Sequence, residues 1–282
     1  MGGIDLHLHS SASDGECAPA DVPRRARESG LDVIALTDHD TLAGVEAASR
    51  TGDQVGVTVI PGCEFSVAVS WGEMHLLAYY LPAGHEELED FLERQRGERA
   101  ARGQEMVRRL HGLGLEVTDQ DVRAAAGSGA IGRPHVARAM VSLALVRDVQ
   151  DAFDRYLATG RPAYVPKRLP PLATVVKLVR AAGGVTSAAH LGERADPQSL
   201  ATLRQAGVDA VEVVHPAHDD RARRRIEQVA RRVGLRVSGG SDWHGESRVD
   251  QRRAGLGAVT VPAAWEEALR AVHEARLAGT EA

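Results

Sequence analysis

The sequence of 282 residues has few cysteines, few aromatic residues and no long apolar run. Its two cysteines, Cys17 and Cys63, cannot build a disulfide framework, which excludes small disulfide-stabilised secreted folds and favours a cytoplasmic location. Aromatic residues make up 4% of the chain, too few for an extended surface that stacks nucleic-acid bases. No apolar run approaches the roughly 18 residues of a membrane span, and the start, MGGIDLHLH, lacks the features of a secretory signal.

A large excess of positive charge is also absent. The 34 Lys and Arg residues are outnumbered by 39 Asp and Glu residues, so the formal net charge is −5. Long nucleic acids and anionic membranes favour broad basic surfaces, which a mildly acidic chain does not offer. We therefore expect no membrane partner and no surface for long DNA, although a local positive site is not excluded.

Short apolar segments alternate with segments of helical periodicity, a pattern typical of α/β proteins with a parallel sheet or barrel. The predicted strands, with a last candidate near the C-terminus, are Ile4–His9, Val33–Thr37, Val57–Pro61, Met74–Leu81, Gly184–Ala189, Ala210–Val214, Leu235–Ser238 and Ala258–Val261. The turn at Trp71-Gly72 predicts a hairpin between the third and fourth strands. Residues 85–160 have an almost entirely helical pattern, so we predict a barrel of residues 1–84 and 161–282 that carries an inserted helical subdomain.

Histidines and carboxylates recur in or just after the predicted strands. His7 and His9 lie two residues apart on the first strand, so their side chains point to the same face and could share a metal ion. Further positions of this kind are Asp14, His39, Glu64, His75, His190, His215, His218, Asp242 and His244. Because sites in parallel sheets and barrels form at the carboxyl ends of the strands, we expect a metal cluster there. Cys63 is the strand neighbour of Glu64 and would point to the opposite face, so no thiolate is expected among the ligands. Imidazole and carboxylate ligands without a thiolate suit zinc, manganese or iron.

Four motifs, in order, resemble those of the polymerase and histidinol phosphatase (PHP) superfamily. They are Asp5-Leu6-His7-Leu8-His9-Ser10, Thr37-Asp38-His39-Asp40, Pro61-Gly62-Cys63-Glu64-Phe65-Ser66 and Ser241-Asp242-Trp243-His244-Gly245. The resemblance covers Ile4 to about Val261 and implies a distorted (β/α)7 barrel with three divalent metal ions. In the family pattern the ligand sets are His7, His9, Glu64 and Asp242; Glu64, His75 and His190; and Asp14, His39 and His244. Leu191 replaces a frequent proline, which puts the conformation of the loop after His190 in doubt.

The helical insertion resembles that of a family branch acting on small nucleotides. Gly132-Arg133-Pro134-His135 lies within it, and the resemblance implies that Arg133 and His135 contact a substrate phosphate. An arginine at a helix N-terminus suits this role, because a guanidinium makes paired hydrogen bonds to phosphate. Further candidates are Ser10, Ser11 and Lys167 for substrate binding, and His215 and His218 for donating a proton to the leaving oxygen.

The resemblance implies a metal-dependent phosphoesterase in which a hydroxide bridging two metal ions attacks phosphorus. We expect it to remove the 3′-phosphate of nucleoside 3′,5′-bisphosphates. Alternatives are a 5′–3′ exoribonuclease acting on short 5′-phosphorylated RNA and a histidinol-phosphatase-like enzyme. Two other classes stay open, a non-catalytic metal-binding module and an amidohydrolase-type enzyme acting on C–N bonds. The complete ligand set disfavours the first, and the lack of a suitable strand-end lysine disfavours the second.

Overall fold

The computed structural model describes residues 2–127, 131–248 and 254–279. Its strands are β1 (Gly3–Leu8), β2 (Leu31–Leu36), β3 (Thr58–Val69), β4 (Gly72–Tyr79), β5 (Val185–Ala188), β6 (Ala210–Val214) and β7 (Arg236–Gly239). The α-helices of these ranges are α1 (Val22–Glu28), α2 (Val45–Val55), α3 (Glu86–Gly112), α4 (Asp119–Ala126), α5 (Arg133–Ser142), α6 (Val149–Ala152), α7 (Leu172–Ala181), α8 (Pro197–Gln205), α9 (Asp220–Val233) and α10 (Ala263–Leu277). In this part of the chain, none of the helices combines the length and apolarity that crossing a membrane requires.

The seven strands form one sheet in chain order, and the predicted α/β class is confirmed. Neighbouring strands are parallel except around β4, which runs antiparallel to both β3 and β5. The β3–β4 turn is too short for a crossover helix, so these strands form the predicted hairpin. The sheet curls until Leu8 of β1 and Trp243, just after β7, form a parallel bridge. This closure gives the distorted seven-stranded barrel.

The eighth strand candidate, Ala258–Val261, is wrong. This segment follows a turn at Gly257, whose φ of 79° is left-handed, and it has no strand conformation. One backbone bond, from the Val261 N–H to the Ile4 carbonyl, connects it to the edge of β1. A single hydrogen bond does not make a ladder, so the apolar residues here pack against the barrel without extending the sheet.

The chain between β4 and α7 forms α3 to α6 and a π-helical turn, Phe153–Leu157. These elements pack around an apolar cluster of their own that includes Met106, Leu110, Val136, Met140 and Leu157. The first turns of α3 instead pack on the apolar cluster of the barrel, through Leu88, Phe91 and Leu92. The helix α3 therefore contacts both clusters, and the division at residues 85 and 160 stays a prediction.

Candidate metal centre

His7 in β1 and His9 directly after this strand are both fully buried in the mouth of the barrel. The Nε2 atoms of His7 and His9 lie 3.3 and 3.1 Å from Oε2 of Glu64. The same two atoms lie 3.4 and 3.3 Å from Oδ1 of Asp242. Gly240, directly after β7, allows the backbone to pass close to His7, because a Cβ at position 240 would lie only 2.4 Å from the His7 Cβ. These four side chains thus converge on one position, as the His-x-His spacing predicts for the two histidines.

The second oxygen of Glu64 faces another pair of imidazoles. Its Oε1 lies 2.8 Å from His75 Nδ1 and 3.2 Å from His190 Nε2. The two rings meet edge to face with their centroids 5.1 Å apart. The carboxylate of Glu64 therefore stands between two groups of histidines, one on each oxygen. That position is the one a bridging carboxylate would occupy between two cations.

A third group of ligand atoms comes from loops after β1, β2 and β7. His9, Asp14, His39 and His244 each offer an atom, and these atoms all lie within 4.8 Å of one another. His244 Nε2 and Asp14 Oδ1, for example, are 3.2 Å apart. The structure thus brings together every residue expected as a metal ligand, with His9 close to two of the groups.

Buried polar atoms in this third group test whether the site fits a cation. Within the described residues, His9 Nε2, Asp14 Oδ1, His39 Nδ1 and His244 Nε2 are buried and have no hydrogen bond of good geometry, although each lies 3.1 to 3.3 Å from an atom of another ligand residue. Buried polar atoms are costly unless paired, and a divalent cation would satisfy all four. No thiolate takes part in these groups of the described chain, because Cys63 is buried in the apolar cluster of the barrel, on the other side of β3. The donors present therefore fit ions that accept imidazole and carboxylate.

The charges of the cluster are arranged for cations. Burial opposes protonation of His7, yet the carboxylates of Glu212 and Glu64 raise the pKa of this imidazole well above 6.5. Burial also opposes ionisation of Glu64, yet the imidazoles of His39 and His75 hold its pKa well below 4.5. Without metal ions Glu64 is thus ionised and His7 holds a proton, whereas burial lowers the pKa of His39 well below 6.5. Metal binding would displace the proton on His7.

Two of the expected ligands have a strained backbone. His190 has a φ of 33° and Asp242 a φ of 52°, in the left-handed region that residues with a Cβ seldom adopt. Such conformations cost about 1 to 3 kcal/mol each and persist only where surrounding contacts hold them. At His190 that contact is a 2.7 Å hydrogen bond from its backbone N–H to Oε2 of Glu212. The loop after β5 is therefore set by a side chain on β6, despite Leu191.

Glu212 contacts two of the expected ligands, and the sequence analysis did not single it out. It is fully buried in β6, and its Oε1 accepts a 2.9 Å hydrogen bond from His7 Nδ1. That bond fixes the orientation of the ring, and in the neutral imidazole it would keep the proton on Nδ1 and leave Nε2, the nitrogen facing Glu64 and Asp242, free to bind a metal ion. The available signal was a carboxylate in the middle of the otherwise apolar segment Ala210–Val214.

The geometry argues against the roles expected for Ser10 and His218. Ser10 is fully buried, and its hydroxyl donates to Oδ2 of Asp38 over 2.6 Å, so it has no proton to offer a phosphate. His218 is buried, with Nδ1 donating to the Val213 carbonyl and Nε2 accepting from the Gly192 N–H, both at 3.0 Å. Both ring nitrogens are occupied by backbone groups. These contacts favour a role in holding loops for both side chains, and the substrate-binding and proton-donating roles stay predictions.

Three more residues predicted to contact substrate or to transfer a proton, His135, Ser11 and His215, have different surroundings. His135 is buried, and its Nδ1 accepts a 2.9 Å hydrogen bond from the Gly132 N–H at the start of α5. The half-buried Ser11 donates its backbone N–H to the Cys17 carbonyl. His215 has Nδ1 3.1 Å from the Ala217 N–H, and its Nε2 lies 3.7 Å from Oδ2 of Asp242. Of these three, only His215 faces the ligand cluster with a ring nitrogen.

A cavity of about 580 Å³ opens on the cluster. Its lining from the barrel includes Asp14, His39, His75 and His190, and its lining from the helical region and the returning chain includes Arg99, Arg102, Arg133, Phe153 and Lys167. Two contacts hold the helical region against the ligand loops. Arg99 pairs with Asp40 at 2.5 Å, and Arg138 donates to the Asp14 carbonyl over 3.5 Å. The cavity therefore has cations on the side facing the proposed metal ligands.

Comparison with known proteins gives consistent matches. A family model described as the PHP domain matches residues 5–158. The 5′-3′ exoribonuclease Rnm of Salmonella typhimurium is 32% identical over 250 residues, covering 85% of this chain and 84% of that protein. The 3′,5′-nucleoside bisphosphate phosphatase of Chromobacterium violaceum is 31% identical over 252 residues, covering 86% and 88%. A solved structure from Bifidobacterium adolescentis, assigned as a metal-dependent phosphoesterase, superposes with a TM-score of 0.87 at 30% identity over 96% of both chains.

Proposed function

The chain belongs to the PHP domain family, and we propose on this basis that it removes the 3′-phosphate from nucleoside 3′,5′-bisphosphates. It is a metal-dependent phosphoesterase, as its relatives are. The observation that carries the proposed substrate is a buried cluster of imidazoles and carboxylates opening on a cavity lined by guanidinium groups. Such a cavity suits a small ester with more than one phosphate.

The proposed cofactors are three divalent ions, manganese, zinc or iron. The ligand sets are those expected from the sequence: His7, His9, Glu64 and Asp242; Glu64, His75 and His190; Asp14, His39 and His244. Ions bound there supply Lewis-acid polarisation of a phosphoryl group and lower the pKa of water. The formal net charge of the chain is −5, and the positive charge of three divalent ions would more than offset it.

The remaining roles fall to residues around the cluster. Arg133 lines the cavity at the start of α5 and is assigned to phosphate binding. His215 is assigned to protonating the leaving oxygen: its Nδ1 can accept the Ala217 N–H, which leaves the proton on Nε2, facing the cluster. Lys167 also lines the cavity, but its ammonium group already contacts Ser66 and Glu73. The helices of residues 85–160 are proposed to cover the mouth of the barrel and exclude water.

The alternative substrate is short RNA with a 5′-phosphate, because relatives named 5′-3′ exoribonuclease match the chain as well as the phosphatase does. Both substrates present a 5′-phosphate. The cavity volume of about 580 Å³ lies within the range of small-molecule sites, which favours a mononucleotide. A cytoplasmic location stays a prediction from the two unpaired cysteines.

A kinetic panel tests the proposal. Nucleoside 3′,5′-bisphosphates are expected to give the highest kcat/KM, above 5′-phosphorylated oligonucleotides, nucleoside monophosphates and histidinol phosphate. Release of nucleotides from the oligonucleotide with a higher kcat/KM would establish the exoribonuclease instead. Dialysis against EDTA is expected to abolish hydrolysis, and adding Mn²⁺, Zn²⁺ or Fe²⁺ back is expected to restore it. Full activity after dialysis, with metal analysis showing none bound, would refute the metal-dependent mechanism.

A further inference from the structure

The segment after β5 joins a proposed metal ligand to a backbone conformation that needs support from elsewhere in the fold. His190 has a φ of 33° and Gly192 a φ of 56°, so two of three consecutive residues are left-handed. Leu191 lies between them with a φ of −63°, a value that a proline would fix but that a leucine is free to leave. A short 3-10 turn, Gly192–Arg194, follows. Contacts from other elements must therefore hold this segment in place.

Arg225 on α9 contacts both ends of this turn. Its Nη2 donates to the Gly192 carbonyl over 2.9 Å, and its Nη1 donates to the Ala195 carbonyl over 3.2 Å. Because the guanidinium is planar and rigid, the two bonds together fix the positions of both carbonyl groups. Hydrogen bonds from a charged donor are stronger than neutral ones, and Arg225 is half-buried, which strengthens them further. Arg225 therefore holds the turn that directly follows the proposed ligand.

Two other contacts on this segment come from β6 and from the loop that follows it. Glu212 accepts a hydrogen bond from the His190 N–H, and the His218 ring accepts one from the Gly192 N–H. Both of these side chains bind N–H groups, whereas Arg225 binds carbonyl groups, so the contacts do not duplicate one another. Gly192 is held at its N–H and at its carbonyl. Removing Arg225 would release the carbonyl side alone.

We infer that Arg225 is a positioning residue for His190, one of the three side chains proposed to hold a single metal ion. The inference rests on the proposed metal site. The ring of His190 lies with Nε2 3.2 Å from Oε1 of Glu64, and this position depends on the left-handed backbone at His190. Without Arg225 the turn loses two bonds, and the backbone of His190 is free to return to a commoner conformation that moves the ring. Loss of a partner that orients a ligand typically weakens metal binding about 10- to 100-fold.

The test compares Arg225→Met and Arg225→Lys with a matched control, Arg224→Met. Arg224 is the preceding residue of α9 and is exposed. Methionine keeps an unbranched side chain without N–H donors, and lysine lacks the planar fork that binds two carbonyls together. Proteins loaded with Mn²⁺ are dialysed against increasing concentrations of a chelator, and metal analysis counts the ions that remain bound.

In Arg225→Met the Kd of one ion per chain is expected to rise about 10- to 100-fold, while the other ions are released as in the parent protein. Arg225→Lys should show a smaller rise, and Arg224→Met should match the parent. A selective loss of one ion is a result that general destabilisation of the fold would not produce.

Hydrogen exchange gives the second arm of the test. In the metal-free proteins, amide exchange over residues 188–196, measured by mass spectrometry, should be about tenfold faster or more in Arg225→Met than in the parent, because the turn opens more readily. Thermal unfolding checks that each variant folds, and Arg225→Lys decides the question if the Met variant does not.

Unchanged metal affinity in Arg225→Met would overturn the role toward His190, whether or not exchange becomes faster. An equal loss of every bound ion would overturn it as well, because that loss would come from the fold as a whole. A parent protein that binds no Mn²⁺ would refute the proposed metal site and, with it, this role. A parent that binds Mn²⁺ no more tightly than Arg225→Met does would refute the role of Arg225 alone.

Discussion

The substitution Glu212→Gln removes one charge and one hydrogen-bond acceptor from beneath the ligand cluster. Glu212 accepts from His7 Nδ1 at 2.9 Å and from the His190 N–H at 2.7 Å. A glutamine keeps the shape but can accept only one of the two bonds, because its amide nitrogen would face another N–H donor. A lost hydrogen bond to a charged group costs about 1.5 to 3 kcal/mol. Loss of a partner that orients a ligand typically weakens metal binding about 10- to 100-fold.

The assay for Glu212→Gln is competition for Mn²⁺ or Zn²⁺ against a chromophoric chelator, with thermal unfolding of the metal-free protein as a second measurement. We expect the metal Kd to rise about 10- to 100-fold. The control is Glu46→Gln, since the Glu46 side chain is 86% exposed and its pair with Arg50 contributes little. An unchanged metal affinity in Glu212→Gln would show that His7 and His190 are oriented without this carboxylate, and the reasoning would then be refuted.

Three further predictions concern other contacts. His218→Ala should lower the free energy of unfolding by about 1 to 3 kcal/mol, because the backbone groups of Val213 and Gly192 lose a buried partner. Chemical unfolding measures this loss. The shape of the pH–kcat profile should stay unchanged, and a changed profile would show that His218 transfers a proton. Arg99→Met should cost about 3 kcal/mol by leaving Asp40 buried and unpaired, and a double-mutant cycle with Asp40→Asn should show coupling, whereas additive effects would contradict it. Asp196→Ala removes the cap of α8 and should cost about 1 kcal/mol at pH 7. Hydrogen bonds with Ser199 lower the pKa of Asp196 below 3.8, so the stabilisation by Asp196 is present above pH 3.8 and is lost as the pH falls further. Urea unfolding at several pH values should show that the difference in unfolding free energy between the parent protein and Asp196→Ala shrinks only in acid.

Several features of the fold and site could be predicted because they depend on local periodicity. His7 and His9 share a face since strand side chains alternate with a period of two, and the same rule turns Cys63 away from Glu64. The beginning of α10 is likewise a local feature, since the helix starts directly after Pro262. The extra strand at 258–261 was wrong because an apolar segment alone does not ensure ladder partners.

The contacts that argue against two of the predicted side-chain roles come from partners distant in the chain. The hydroxyl of Ser10 is consumed by Asp38, 28 residues away, and the ring of His218 by the backbone at Gly192, 26 residues away. Nothing in the neighbourhood of either residue in the sequence signals these bonds. A motif can place a polar residue near a site, but hydrogen-bond saturation decides whether the residue has a donor left for a substrate.

The sequence by itself determined the α/β class and the histidines and carboxylates that are predicted as ligands. The class follows from the alternation of strand and helix patterns, and the predicted ligands follow from motifs in or beside the strands. Only the tertiary structure decided which ring nitrogen of His7 faces the cluster, since Glu212 lies 205 residues away on another strand. It also decided that Arg102 and Arg133, from two different helices, line one cavity. Orientation and charge balance depend on contacts between distant segments, and those contacts exist only once the barrel has closed and the helical insertion has packed on it.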